Sequence, residues 1–314
     1  MKKDSKIFVA GGSGLVGSAI IRELKRKGYT NVLAPTHKEV DLMDEKATLA
    51  YFNKEKPEYV FLAAAKVGGI IANKNNPADF IFDNLKIQNV VIHSAYKAEV
   101  KKLLFLGSSC IYPKFAKQPI KEEYLMTSAL EETNDAYAIA KIAGIKMCDA
   151  YNKQYGTNFI AVMPTNLYGP FDNFDPVTSH VIPSLIRKFH DAILNNKKEI
   201  TLFGDGTPKR EFLYIDDAAE GFVFLMNKFN GPGIINLGSG VDMSIKSLAQ
   251  KMKEMTGFKG KILWDTTKPN GTPRKLLDVQ KIKALGWKPK TSFEKGLKNA
   301  YEFYKTHYKE LNER

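Results

Sequence analysis

Two cysteines in 314 residues, Cys110 and Cys148, exclude a disulfide framework and leave no cysteine-rich metal cluster. No apolar run approaches the ~20 residues that a membrane-spanning helix needs. The basic start, Met1-Lys2-Lys3-Asp4-Ser5, leads into one short strand and then glycines, which is not the pattern of a secretory signal. A soluble, cytoplasmic protein is the expectation. Internal repeats and low-complexity linkers are missing, so neither a solenoid nor a string of tethered modules is expected. Acidic residues do not balance the basic ones, and the formal net charge is +13. The lysines are nevertheless dispersed, with no basic block beyond Lys25-Arg26-Lys27 and no nucleic-acid recognition module beside them. Such a surface favours phosphorylated small molecules; neither nucleic acid nor a membrane is expected as partner.

What is present is an ordinary globular mix, 44% hydrophobic and 26% charged, in a chain long enough for a sizeable core. Lys6-Ile7-Phe8-Val9-Ala10 reads as a buried parallel strand. Gly11-Gly12-Ser13-Gly14-Leu15-Val16-Gly17 follows, and then apolar residues at helical spacing from Ser18. Strand, glycine turn and helix in that order place a pyrophosphate at a helix N-terminus, with glycines where the backbone must come close. A second strand near Asn31-Val32-Leu33-Ala34 ends in Pro35-Thr36-His37-Lys38. No carboxylate stands at that strand end for ribose hydroxyls; Glu39 and Asp41 come later. Lys38 and His37 suit a 2′-phosphate instead, which favours NADP over NAD.

Further strands are expected at residues 59–65, 102–106 and 158–163, with helices at 79–97 and from Tyr137 to about Tyr155. The alternation predicts an α/β fold, a Rossmann-like doubly wound parallel sheet. After Pro170 the regularity weakens, with helices expected at 180–194 and 244–255. The expected division is an NADP-binding domain over residues 1–169 and a smaller C-terminal α/β substrate-binding domain over 170–314. Residues 211–230, strand-like and then helical, are expected to return to the first domain. The Lys-rich end, 304–314, is expected to be a solvated helix.

Chemistry concentrates at strand and helix ends. Gly107-Ser108-Ser109-Cys110-Ile111-Tyr112-Pro113 puts hydroxyls and a thiol after a strand, where ligands bind in open α/β sheets. Tyr137 and Lys141 share one helical face at i and i+4, so the ammonium is expected to lower the phenol's pKa. Taken alone, that spacing also fits a packed Tyr beside a solvated Lys. A Cys after a strand is often a small buried filler, and a His before a helix is often a cap. Cys148, on the Tyr137 helix, reads as packing.

The glycine turn, Ser108 and the Tyr137/Lys141 pair together resemble the extended short-chain dehydrogenase/reductase superfamily. Ala63-Ala64-Ala65-Lys66-Val67-Gly68-Gly69-Ile70, Leu106-Gly107-Ser108-Ser109-Cys110-Ile111-Tyr112-Pro113-Lys114 and Tyr137-Ala138-Ile139-Ala140-Lys141 narrow the likeness, as do Met163-Pro164-Thr165-Asn166-Leu167-Tyr168-Gly169-Pro170, Ser179-His180-Val181-Ile182-Pro183 and Gly271-Thr272-Pro273-Arg274-Lys275. From about Lys6 to about Trp287 the chain resembles the GDP-L-fucose synthase family.

The resemblance implies 3,5-epimerisation and NADPH-dependent 4-reduction of GDP-4-keto-6-deoxy-D-mannose, an oxidoreductase with isomerase activity. It implies Tyr137, Lys141 and Ser108 for the reduction, and Cys110 and His180 as the acid/base pair of epimerisation. Cofactor contacts are implied at Gly11, Gly12, Ser13, Gly14, Leu15, Val16 and Gly17, at His37, Lys38 and Asp41, and at Ala63, Ala64 and Ala65. They continue at Leu106, Gly107 and Ser108, at Tyr137 and Lys141, at Pro164, Thr165, Asn166 and Leu167, and at His180. Substrate contacts are implied at Ser109, Cys110, Asn166, Lys188, Phe203, Arg210 and Asn270, with no metal. A homodimer is implied, pairing the 79–97 and 137–155 helices into a four-helix bundle.

The sequence departs from the family at a cluster of positions. Ser13 and His37 stand where the family places Arg residues on the 2′-phosphate. Lys188 replaces an Arg, Phe203 a Trp and Asn270 an Asp, while Arg210 matches. An intact catalytic set with a changed outer shell leaves a second substrate open. That substrate is a GDP-4-keto-heptose or its 6-deoxy form, for a bacterial capsule or lipopolysaccharide, with the epimerase step lost or done elsewhere. An NAD-retaining 4-epimerase or dehydratase, and a non-catalytic NADP-binding regulator, are the alternatives of other classes. No Asp-Glu pair follows Ser108, as a dehydratase needs, and a regulator usually loses the Tyr or the Lys.

Overall fold

The structure, a computed structural model, describes residues 1–176, 178–268 and 270–312. Strand β1 (Ile7–Ala10) is buried at all four positions, as a strand covered on both faces must be. Helix α1 (Leu15–Arg26) follows the glycine turn and ends with Lys25 and Arg26 at its negative dipole end. Then come β2 (Val32–Leu33), α2 (Glu45–Glu55, capped by the Asp44 carboxylate on Ala47 N–H), β3 (Tyr59–Leu62), α3 (Ile70–Asn75), α4 (Pro77–Lys97) and β4 (Lys102–Leu106). Helix α5 (Asp135–Tyr155) stops at Gly156, whose φ of 67° supplies the left-handed cap. Strands β5 (Phe159–Pro164) and β6 (Asn166–Tyr168) close this half.

The second half runs α6 (Val181–Leu194), β7 (Glu199–Phe203), β8 (Lys209–Tyr214), α7 (Ile215–Lys228), β9 (Ile234–Leu237), β10 (Asp242–Ser244) and α8 (Ile245–Thr256). It ends with β11 (Lys261–Asp265), β12 (Arg274–Lys275), α9 (Gln280–Ala284), α10 (Phe293–Thr306) and α11 (Tyr308–Asn312).

Six parallel strands form one sheet in the order β2-β1-β3-β4-β5-β9. Phe8, Phe61, Phe105 and Phe159, from four adjacent strands, are fully buried in its core. Strand order reverses beside β1, so the chain leaves β1 and β3 in opposite directions and opens a crevice at their carboxyl ends. Helices α4 and α5 lie side by side. Gly144 lets α5 sit close to both the sheet and α4: a Cβ there would stand 2.4 Å from Phe105 Cζ of β4 and 2.9 Å from Gln88 Oε1 of α4.

Two placements differ from the expectation. Strand β8 is not in the six-stranded sheet; it pairs with β10, β12 and β6 in a second sheet, and β9 supplies the sixth strand. Helix α7 does lie against α1, joined by Arg22–Asp216 at 2.8 Å and Lys27–Glu220 at 3.4 Å. The chain end is helical and solvated only in part: Lys305, Thr306, Lys309 and Glu310 are exposed, but α10 has a buried face. Tyr304 is fully buried, its ring 4.7 Å from Phe174 and 5.4 Å from His190. The apolar positions Leu297, Ala300, Tyr301 and Tyr304 recur at helical spacing and fix that face inward, whatever the lysines between them do. Residues 313 and 314 lie outside the described residues.

Candidate active site

An open cleft of about 1300 Å³ runs over the carboxyl ends of β1, β3, β4 and β5. Gly11 to Gly17, His37, Asp41, Ala63 to Ala65, Leu106 to Cys110, Tyr137, Lys141, Pro164 to Leu167 and His180 all line it. Lys38, Phe203 and Asn270 are exposed and lie outside the lining, and so do the half-buried Lys188 and Arg210.

The glycine turn is a cradle that side chains would fill. Gly11 holds φ of 80°, and a Cβ there would meet the Ala64 backbone at 2.8 Å. A Cβ on Gly17 would stand 2.0 Å from the Gly11 carbonyl oxygen. Gly14 caps α1 with no side-chain partner, leaving the first N–H groups open to an anion. At the end of β2 the nearest carboxylate is already spent. Glu39 Oε2 accepts from Thr36 N–H at 2.6 Å and from the Thr36 hydroxyl at 2.9 Å, which holds it below the usual carboxylate range. Asp41 accepts from Met43 N–H at 2.9 Å and faces His37 Nδ1 at 3.6 Å. Both of these carboxylates are engaged within the loop, and the exposed His37 imidazole and Lys38 ammonium suit a phosphate. The cradle and this loop fit a phosphorylated dinucleotide.

The reactive groups meet where β4, α5 and α6 converge. Ser108 precedes a short 3-10 turn, Ser109–Ile111, and its hydroxyl accepts from Cys110 N–H at 3.1 Å. Lys141 is 3% exposed; its Nζ donates to the Leu106 carbonyl at 2.8 Å and lies 4.8 Å from the Phe105 ring centre. Burial pulls the Lys141 ammonium down to about 7. Its Nζ is 5.9 Å from the Tyr137 ring centre. The expected lowering of the phenol is therefore not what governs Tyr137. Burial, with Cys110 beside it, pushes Tyr137 above its ordinary value, and the Ser108 hydroxyl only partly opposes this. At neutral pH the phenol keeps its proton.

His180 is the N-cap residue of α6 and makes no capping bond, so its ring is left to the cleft. Burial first, and the Lys275 charge second, pull it below its ordinary value. For Cys110, burial pushes the thiol up, but Lys275, the Ser108 hydroxyl and Arg210 together outweigh it and hold the thiol below normal. Asn166 lines the cleft while its amide donates to the Glu211 carbonyl at 2.8 Å.

The outer residues form a second group. Lys188 Nζ sits 4.7 Å from the centre of the Phe203 ring, which is 54% exposed. Asn270 Oδ1 accepts from Asp205 N–H at 3.0 Å, and Arg210 Nη1 donates to the Lys209 carbonyl at 2.8 Å. Arg210 lies close enough to Cys110 for each to shift the other's charge, so this group adjoins the thiol.

Two residues of the site were not singled out by sequence. Lys275 Nζ is 3.5 Å from Cys110 Sγ, across 165 positions of chain. Asp172, in the cleft-lining loop after β6, is buried with Oδ2 unpartnered among the described residues, and burial pushes it up to about 7. Only the fold brings either to the site. The motif around Arg274 and Lys275 was visible, but nothing local said that it faces a thiol.

Residues 7–238 match the model of the NAD dependent epimerase/dehydratase family. GDP-L-fucose synthase 1 of Arabidopsis thaliana is 57% identical over 302 residues, covering 96% of this chain and 94% of that protein. Among solved structures, a GDP-6-OMe-4-keto-L-xylo-heptose reductase from C. jejuni superposes with a TM-score of 0.93 at 40% identity, covering 98% of this chain and 99% of that one. A GDP-L-fucose synthetase from Naegleria fowleri bound to NADP superposes with a TM-score of 0.91 at 32% identity, covering 98% and 95%.

Proposed function

Since the chain belongs to the NAD dependent epimerase/dehydratase family, with a GDP-L-fucose synthase at 57% identity among its relatives, we propose that it is an NADPH-dependent GDP-sugar 4-keto reductase with 3,5-epimerase activity. The reaction is the conversion of GDP-4-keto-6-deoxy-D-mannose to GDP-L-fucose. The observation that carries this reading is the meeting of two proton-handling sets in one cleft. Ser108, Tyr137 and Lys141 suit a carbonyl reduction, and Cys110 with His180 suits proton exchange at the carbons beside that carbonyl.

The glycine turn, His37 and Lys38 would hold NADPH, which when bound would supply the hydride for C4. The residues then divide the proton work. Tyr137, kept protonated by burial, gives its proton to O4, and Ser108 hydrogen-bonds the same oxygen. Lys141, anchored on the Leu106 carbonyl, orients the ribose side of the cleft. For epimerisation the C4 ketone acidifies the C3 and C5 hydrogens. Cys110 as thiolate takes such a proton, the C–H electron pair moves onto the ketone oxygen, and His180 in its imidazolium form returns a proton from the opposite face. Arg210 and Lys188 meet the diphosphate, with Phe203 and Asn270 at the outer end of the substrate. The six-stranded sheet with α1 to α5 is the cofactor half, and the β8 sheet with α6, α8 and α10 is the substrate half. We assign a homodimer through α4 and α5, whose outer faces expose Phe82 at 61% and Ile139 at 46%.

The test is NADPH oxidation with GDP-4-keto-6-deoxy-D-mannose in D2O, with product stereochemistry read by NMR. GDP-L-fucose carrying deuterium at C3 and C5 is expected. Reduction without deuterium uptake removes the epimerase role. The heptose-reductase neighbour and the altered Lys188, Phe203 and Asn270 favour one second reading, C4 reduction of a GDP-4-keto-heptose. Turnover of that sugar at a higher kcat/KM than the 6-deoxyhexose would establish it.

A further inference from the structure

We propose that Lys275 is a positioning residue whose ammonium holds Cys110 as the thiolate, and that Gln118 fixes Lys275 in place. This rests on the proposed role of Cys110 in proton exchange, and it extends that role to residues outside the reacting set.

The geometry of β12 selects the partner. Side chains of neighbouring strand residues point to opposite faces. Arg274 turns one way, its Nε 2.5 Å from Asp242 Oδ2. Lys275 turns the other way and meets Cys110 Sγ at 3.5 Å. No carboxylate lies within 4.0 Å of the Lys275 ammonium among the described residues, whereas Arg274 and Lys114 are each paired with one. An ammonium without a carboxylate beside a sulfur is the arrangement that stabilises thiolate.

The strand is also clamped about this one residue. Gln118 donates from Nε2 to the Arg274 carbonyl at 3.2 Å and accepts at Oε1 from Leu276 N–H at 2.9 Å, so one amide grips the backbone on both sides of Lys275. Ile120 N–H donates to the Leu276 carbonyl at 2.7 Å, and Lys209 N–H to the Pro273 carbonyl at 2.9 Å. Glu131 ties the neighbouring loop, accepting from the Thr272 hydroxyl at 3.2 Å and pairing with Lys114 at 3.3 Å. A lysine that merely decorated the surface would need no such frame. The chemistry is a proton equilibrium only: the thiol loses its proton to water, the sulfur keeps the electron pair, and the ammonium stays protonated.

The test is the pH dependence of iodoacetamide alkylation at Cys110 in the intact protein, followed by peptide mass spectrometry so that buried Cys148 does not contribute. An ordinary thiol has its midpoint near ~8.5. The wild-type midpoint is expected below that, and Lys275→Met is expected to raise it by about one unit, a roughly tenfold slower alkylation at neutral pH. Lys275→Arg keeps the charge and should hold the midpoint near wild type. Gln118→Ala leaves the charge but frees the strand, and should give a smaller upward shift. If Lys275→Met does not fold, Lys275→Gln serves in its place, with NADPH binding as the check on folding. A wild-type midpoint at or above the ordinary value, or one that Lys275→Met and Lys275→Gln leave unchanged, overturns the proposal. A Lys275-dependent midpoint in a protein that takes up no deuterium into any ketosugar would sustain it while removing the epimerase reading.

Discussion

Lys141 shows how burial redirects a familiar residue pair. The ammonium is aimed at the Leu106 carbonyl, in a pocket that pulls it down to about 7 from an unfolded value near ~10.4. The unfolded chain therefore binds a proton that the folded chain lacks between those two values, and stability rises with pH across that window. The cost is complete below about pH 7. Lys141→Met should accordingly raise the melting temperature of the cofactor-free protein, by an amount that is largest below pH 7 and fades towards pH 10; a pH-independent difference would contradict this origin. Cys110 and His180 give a second pH signature. Thiolate and imidazolium must coexist, so deuterium uptake should trace a bell: it falls at low pH as the thiol protonates and at high pH as the imidazole empties. Both midpoints should lie below those of free Cys and free His, since both groups are pulled down. A monotonic profile would remove one partner. Gly17 makes the sharpest steric prediction. The alanine methyl would stand 2.0 Å from a backbone oxygen, so Gly17→Ala should weaken NADPH binding at least about tenfold, ~1.4 kcal/mol, by fluorescence titration.

At the scale of elements, the turn from β1 into α1 and the 3-10 turn after β4 do the placing. Each ends a buried strand at the same edge of the sheet, so their backbones and hydroxyls face one cleft. The helices behind them have a separate task. Helix α5 uses Gly144 and Lys141 inward, against Phe105, and shows Ile139 outward; α4 shows Phe82. An exposed aromatic and an exposed aliphatic on adjacent helices form the apolar face proposed to pair two copies. Phe82→Glu with Ile139→Glu should convert the protein to monomer in sedimentation equilibrium while leaving its circular dichroism unchanged. A persistent dimer would place the interface elsewhere.

At the scale of the whole molecule, the turn after β4 carries a member of each proton set, Ser108 and Cys110, while their partners come from distant elements. Tyr137 and Lys141 belong to α5 beneath the six-stranded sheet, whereas the thiol's charge is set by β12 of the second sheet. Exchange and reduction should then separate. With NADP+ in place of NADPH, deuterium uptake from D2O into the ketosugar is expected to continue without reduction. Tyr137→Phe should lose about 10² or more in NADPH oxidation while keeping the uptake. Loss of both together would mean that Tyr137 also serves the epimerisation.

The sequence by itself determined the local grammar of this protein. A strand of buried residues, glycines where no Cβ fits, and a helix opening on free N–H groups have one physical solution, and it could be read without coordinates. The Tyr137–Lys141 spacing was legible for the same reason, because a helix sets it. Only the tertiary structure decided what depends on distant chain or on burial. Strand β9 entered the main sheet in place of β8, since strand partners are chosen across the molecule rather than along it. The lysines near the chain end hid Tyr304, because a helix buries one face whatever the other carries. The phenol of Tyr137 is pushed up rather than down, because desolvation in the assembled cleft outweighs the Ser108 hydroxyl, while the Lys141 ammonium is held on another acceptor. Lys275 reached Cys110 through the pairing of β12 with β8 and the bonds of Gln118 and Ile120 to its strand, a contact between residues 165 positions apart that no local pattern encodes.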